Sequence, residues 1–156
     1  MASYTLKSVL RLPIPLDEAW DLFSSPDNLK EITPSYMNFR VLTKSESEKM
    51  FAGQIITYTV SPILGIPLFW MTEITHVRER DYFVDEQRFG PYALWHHKHF
   101  FREIHGGVEM TDLLDYKLPL GFLGSIAHTL FVRRQIESIF DYRSKALIER
   151  FGTYKS

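Results

Sequence analysis

The run Trp95-His96-His97-Lys98-His99-Phe100-Phe101 sets two imidazoles, His97 and His99, two residues apart among aromatic side chains, and a second run, Val108 to Leu118, carries Asp112 and Tyr116 after the turn-forming pair Gly106-Gly107. Alternate side chains of a strand share a face, so Trp95, His97, His99 and Phe101 point one way. A two-residue turn at His105-Gly106 or at Gly106-Gly107 sets odd residues of the first strand opposite even residues of the second, which brings Asp112, Leu114 and Tyr116 to that face. Buried polar groups need partners, so a face mixing aromatic rings, imidazoles, a carboxylate and a phenol predicts the wall of a polar-dotted cavity. Turned outward, the same face would expose Trp95, Phe101, Leu114 and Tyr116 together, a large apolar patch.

Three chemistries fit these residue types. A histidine leaning on Asp112 or Tyr116 would act as general base, as cyclisation or dehydration of a polyketide requires, with His97, His99 and Asp112 the candidates. Two histidines at i and i+2, with Asp112 from the neighbouring strand, could meet one metal ion. The same groups could satisfy one another by hydrogen bonds and orient a ligand. The last is the preferred reading.

The elements around this face follow from the punctuation. Tyr4 to Leu12 predicts a strand closed by Pro13-Ile14-Pro15, Leu16 to Phe23 a short helix, and Ser25-Pro26-Asp27 the start of a second helix through Ile32. Six further strands are predicted at Asn38 to Thr43, Met50 to Val60, Leu68 to Val77, Tyr82 to Phe89, Leu94 to Ile104 and Val108 to Leu118. The proline-free stretch from Phe122 to about Phe151 predicts a long helix whose stripe gathers Ile126, Leu130, Phe140, Leu147 and Phe151. The order is β-α-α-β-β-β-β-β-β-α, with no repeat or linker, so residues 1–156 are expected to form a single domain.

In such a meander every second loop shares an end of the sheet. One end collects 61–67, 90–93 and 118–124, loops rich in large apolar side chains. Ile63, Leu64, Ile66, Tyr92, Leu120 and Phe122 then either line a cavity mouth that admits a hydrophobic ligand or pack under the long helix as a lid. Charge is nearly balanced, 18 basic against 19 acidic side chains without a block of either sign, so nucleic acid is not expected as a partner. The absence of cysteine excludes disulfides and thiol catalysis. No leader and no long uncharged apolar span is evident, so the expectation is a soluble, cytoplasmic protein without stable membrane insertion. Dinucleotide-binding, Walker, nucleophile-elbow and zincin motifs are missing, and no cofactor is expected.

Phe83-Val84-Asp85-Glu86-Gln87, Gly90-Pro91, the Trp95-His97-His99-Phe101 alternation, Gly106-Gly107, Asp112, Tyr116 and Pro119, with the element order, resemble the START and birch-pollen-allergen-like (SRPBCC) superfamily, nearest the small bacterial ligand-binding proteins of its polyketide cyclase/dehydrase and lipid-transport group. The resemblance runs from about Tyr4 to Arg150. It implies an α+β helix-grip fold, a curved antiparallel sheet wrapped around the C-terminal helix with a cavity between them. It also implies a small hydrophobic partner, such as a lipid, a steroid-like compound or an aromatic polyketide, and no metal. Catalysis by a minority of members keeps the cyclase/dehydratase reading as the alternative. On the strand before the histidines the resemblance favours Asp85 and Gln87 as the inward pair, whereas the residues themselves leave Glu86 and Arg88 equally possible. Ligand-binding candidates are therefore Gln87, Trp95, His97, His99, Phe101, Asp112, Leu114 and Tyr116. Oligomeric state is not legible in the sequence.

Overall fold

The computed structural model describes residues 3–43, 49–62, 64–121, 123, 126 and 128–156. Strand β1 (Tyr4–Leu12) alternates along its length and ends at the two prolines. Helix α1 (Leu16–Phe23) follows at once, with Asp17 and Glu18 at its positive end and Ala19, Trp20, Leu22 and Phe23 buried. The helix expected over 26–32 is a 3-10 turn, Pro26–Lys30, followed by another, Ser35–Met37. A single turn after a proline lacks the length to propagate an α-helix.

Strands β2 (Arg40–Val41), β3 (Gln54–Val60), β4 (Leu68–Arg78), β5 (Tyr82–Phe89), β6 (Leu94–Ile104) and β7 (Gly107–Lys117) run as a meander, and β1 returns to pair with β7. The seven-stranded order is β1-β7-β6-β5-β4-β3-β2, with every pair antiparallel. The first meander strand is shorter than the six residues expected because only Arg40 and Val41 find ladder partners, Thr59 and Tyr58. The β6–β7 turn is His105-Gly106, since Ile104 pairs with Gly107. Gly106 supplies the positive φ of 72°, and Gly107 backs so closely onto β1 that a Cβ there would lie 2.1 Å from the Leu12 carbonyl oxygen.

Helix α2 (Arg133–Phe151) is preceded by a π-helical turn, His128–Val132. The wider turn shifts the phase of the apolar stripe. Ile126 and Leu130, expected inward, are exposed, while Ile136, Phe140 and Leu147 form the buried face. Among the described residues no helix is long and apolar enough to cross a membrane.

Three packed clusters surround an open centre. Trp20, Phe23, Phe83, Phe101, Met110 and Leu147 fill the α1 end. Met37, Phe39, Val60 and Trp70 close the β3–β4 side, and Leu114, Tyr116, Ile136 and Phe140 join β7 to α2. The layers meet at these clusters and not between them, which leaves the cavity.

Candidate ligand-binding site

The cavity has a volume of about 400 Å³ and runs between the sheet and α2. Its lining is overwhelmingly apolar, with Met37, Phe39, Ile56, Val60, Trp70 and Ile139 among the contributors. A 400 Å³ apolar space suits a small organic molecule. The charged and imidazole-bearing members of the lining gather on one wall: Asp85 from β5, His97 and His99 from β6, and Arg143 from α2.

Strand register assembles this wall. Asp85 pairs with His97 across β5–β6, and His99 with Asp112 across β6–β7, so the carboxylates flank the imidazoles on both sides. Diagonal neighbours on the face complete the network. His97 Nε2 lies 2.9 Å from Asp112 Oδ1, and His99 Nδ1 stands 2.9 Å from the same oxygen. His99 Nε2 meets Asp85 Oδ2 at 2.7 Å, whereas His97 Nδ1 stands 3.8 Å from that oxygen, beyond hydrogen-bond reach. Phe83 stacks on His99 at 4.1 Å and Phe140 packs edge-on to His97 at 5.7 Å, which fixes both rings.

The electrostatics follow from burial and these partners. Burial alone would raise both carboxyls. At Asp112 the hydrogen bonds from His97 and His99 outweigh it and hold the group well below the ordinary range. At Asp85 the hydrogen bond from His99, helped by the charges of His97, His99 and Arg143, does the same. Burial lowers His97, with the neighbouring His99 adding to it. Burial also opposes charge on His99, but hydrogen bonds to Asp112 and Asp85 overcome it and raise that imidazole. Two ionised carboxylates only accept, so the nitrogens facing them donate. His97 Nε2 therefore donates to Asp112, and His99 Nε2 donates to Asp85.

Arg143 reaches the wall from α2, its guanidinium over Phe140 and 3.9 Å from Asp112 Oδ1. Its Nε and Nη1 are buried without a hydrogen-bond partner, as is the Trp70 indole Nε1. On the adjoining strands β3 and β4, Tyr58 and Thr72 bond to each other at 3.1 Å, and burial pushes the Tyr58 phenol far above its usual value.

The structure sorts the candidates named from the sequence. Trp95, His97 and His99 line the cavity. Five others stand elsewhere than expected, because the inward face of the sheet is longer than the cavity. Phe101 packs against Trp20 and Phe23 at the α1 end. Leu114 and Tyr116 pack against α2, and Asp112 lies behind the histidines. Gln87 turns to the backbone of the following loop, donating to Tyr92 O at 2.7 Å and accepting from Tyr92 N at 3.1 Å. The β5 question resolves as well. Asp85 faces the cavity, while Glu86 and Arg88 form an outward row with His96 and Glu73.

At the apolar rim, Tyr92 and Leu120 line the cavity together with Pro62, Pro91 and Leu118 from the same three loops. Leu64 and Ile66 do not reach it; Leu64 is 92% exposed. Ile63 and Phe122 lie outside the described residues. Arg133, at the start of α2, pairs with Glu137 at 2.9 Å. Arg143 was missed, although its position in the spacing Ile136, Phe140, Arg143, Leu147 makes it a lone charge in the buried stripe.

No family model and no curated protein sequence matches this chain. Solved structures do. Protein Ms6760 from Mycobacterium smegmatis is 18% identical, with a TM-score of 0.66 over 94% of this chain and 92% of its own. Ginseng major latex-like protein 151 from Panax ginseng is 14% identical, with a TM-score of 0.69 over 96% and 97%. Ara h 8.0201 is 13% identical, with a TM-score of 0.62 over 95% and 99%. At these identities the likeness is one of fold. The chain shares with them the helix-grip fold, a curved antiparallel sheet wrapped around a long C-terminal helix.

Proposed function

We propose that this protein binds a small, mainly hydrophobic molecule bearing oxygen acceptors, of the size of a lipid fragment, a steroid-like compound or an aromatic polyketide, within the central cavity. The observation that carries the reading is the set of N–H donors without acceptors on the lining residues, Trp70 Nε1 and Arg143 Nε and Nη1, in a mainly apolar enclosure. Buried donors left unsatisfied are destabilising by about 1–3 kcal/mol each, more for a charged group, so a ligand carbonyl or hydroxyl oxygen there regains what the empty wall forfeits. Apolar burial supplies the bulk of the affinity, and the donors set orientation.

Native mass spectrometry of freshly purified protein, followed by extraction, tests this. The expected result is an organic adduct bearing oxygen, reduced or lost in Ile139→Trp, which fills the cavity from α2. A bare protein mass, together with failure to take up any of a panel of ketones, sterols and polycyclic phenols, would overturn the reading.

A further inference from the structure

The cavity wall carries a pattern that ligand orientation alone does not require. His97 Nδ1 and His99 Nε2 both face Asp85, while the second nitrogen of each ring, His97 Nε2 and His99 Nδ1, meets the same oxygen of Asp112 at 2.9 Å. Asp85, His97 and His99 line the cavity; Asp112 does not. This is the layering of a metal centre, in which each ligating imidazole gives its other N–H to a carboxylate behind it. We propose that Asp85, His97 and His99 form a binding site for one divalent first-row transition ion, with Asp112 as the positioning residue for both rings.

The distances fit. Ligands about 2.1 Å from one ion must lie roughly 3–3.5 Å apart. The Asp85 Oδ2 separations of 2.7 Å from His99 Nε2 and 3.8 Å from His97 Nδ1 bracket that range, and the three ligand atoms all lie within 4.8 Å of one another. His97 Nδ1 stands beyond hydrogen-bond reach of Asp85, and an ion between the rings would take the place of the His99 Nε2–Asp85 hydrogen bond, any proton on a ligating nitrogen leaving to solvent. Two imidazoles and one carboxylate suit zinc, cobalt, iron or nickel, whereas magnesium and calcium prefer oxygen shells. The remaining coordination positions open on the cavity beside Arg143, where an oxygen of a bound molecule would meet both the ion and the guanidinium. Asp112 was the third ligand suggested by sequence; register puts Asp85 there instead, because Asp85 pairs with His97 from the cavity side.

Chelator-treated protein titrated with Zn²⁺ by calorimetry and with Co²⁺ by visible absorption tests the assignment. One ion per chain is expected, with a Co²⁺ spectrum of nitrogen and oxygen ligation and no competition from Mg²⁺. Stoichiometric binding should vanish in Asp85→Ala, His97→Ala and His99→Ala. It should weaken about 10–100-fold in Asp112→Asn, and persist in His96→Gln and His105→Gln. Wild-type protein that takes up no more Zn²⁺ or Co²⁺ than the His97→Ala/His99→Ala double variant would overturn the site, a result that needs no variant but the wild type to fold well. Binding that survives the double variant but is lost with His96 or His105 would overturn it too. Uptake of the hydrophobic panel by chelated protein, measured in parallel, separates failure of this site from failure of the binding function.

Discussion

Asp112 is the residue on which the polar wall leans, and its removal gives the sharpest energetic test. Its Oδ1 receives His97 Nε2 and His99 Nδ1, both at 2.9 Å, and the residue is only 9% exposed. In Asp112→Ala two buried N–H donors lose their acceptor, at about 1–3 kcal/mol each. The charge opposite His99 and Arg143 disappears as well, and breaking a buried ion pair by deleting one partner typically destabilises by about 3–5 kcal/mol. The two routes overlap, so the expected loss is about 3–5 kcal/mol in all. Asp112→Asn keeps an acceptor oxygen but not the charge and should lose about half as much. Urea unfolding of chelator-treated protein reads this as a lower midpoint at unchanged slope, and thermal unfolding as a fall of roughly 6–20 °C for a domain of this size. A loss below about 1 kcal/mol for Asp112→Ala at unchanged slope would refute the argument, since the histidines would then be finding partners from the cavity side.

Trp70→Phe removes an indole N–H that has no acceptor, so its stability loss should stay under about 2 kcal/mol; affinity for an oxygen-bearing ligand should fall about 5-fold or more, the worth of one hydrogen bond, by titration against the wild type. Gly107→Ala drives a Cβ to 2.1 Å from the Leu12 carbonyl oxygen, a backbone atom held in the β1–β7 ladder, and should destabilise by about 3 kcal/mol or more in chemical unfolding. Glu109 accepts from Arg11 at 2.8 Å and Arg102 at 2.6 Å, which hold its carboxyl below the ordinary value. Its folded pKa is depressed, so its contribution is present above the ordinary carboxylate range and lost as pH falls through the folded value. Glu109→Gln should flatten that part of the acid limb of stability against pH.

The β6–β7 hairpin was legible in the sequence because a two-residue turn at either candidate position gives the same parity. Trp95, His97 and His99 followed directly, and with them the inward face. What could not be read was how much of that face stays open. That depends on where α1 and α2 press against it, and Phe101 and Tyr116 end in packed clusters for reasons of tertiary contact alone. The π-helical turn at His128–Val132 had no signal in the sequence, and Ile126 and Leu130 are exposed. Arg143 did leave a trace, a single charge at 4-3-4 spacing among Ile136, Phe140 and Leu147, but a stripe phased on Ile126 and Leu130 conceals it.

The outer face of the same strands shows why position, and not residue type, makes the site. Directly behind the inner network, Glu86 meets His96 at 2.8 Å and Lys98 meets Asp115 at 2.9 Å, another carboxylate-imidazole and carboxylate-cation row one residue out of phase. A register slip of one residue would exchange the two rows. The outer row is part-exposed, its side chains from a quarter to a third open, and water screens such pairs to about 0–1 kcal/mol. On the inner face the lining is apolar and the neighbours are Phe83 and Phe140, so each charge must be met by a specific partner. The inner row therefore meets its two carboxylates with two imidazoles and leaves Arg143 Nε and Nη1 buried without a hydrogen-bond partner. Solvent gives the outer row no such constraint.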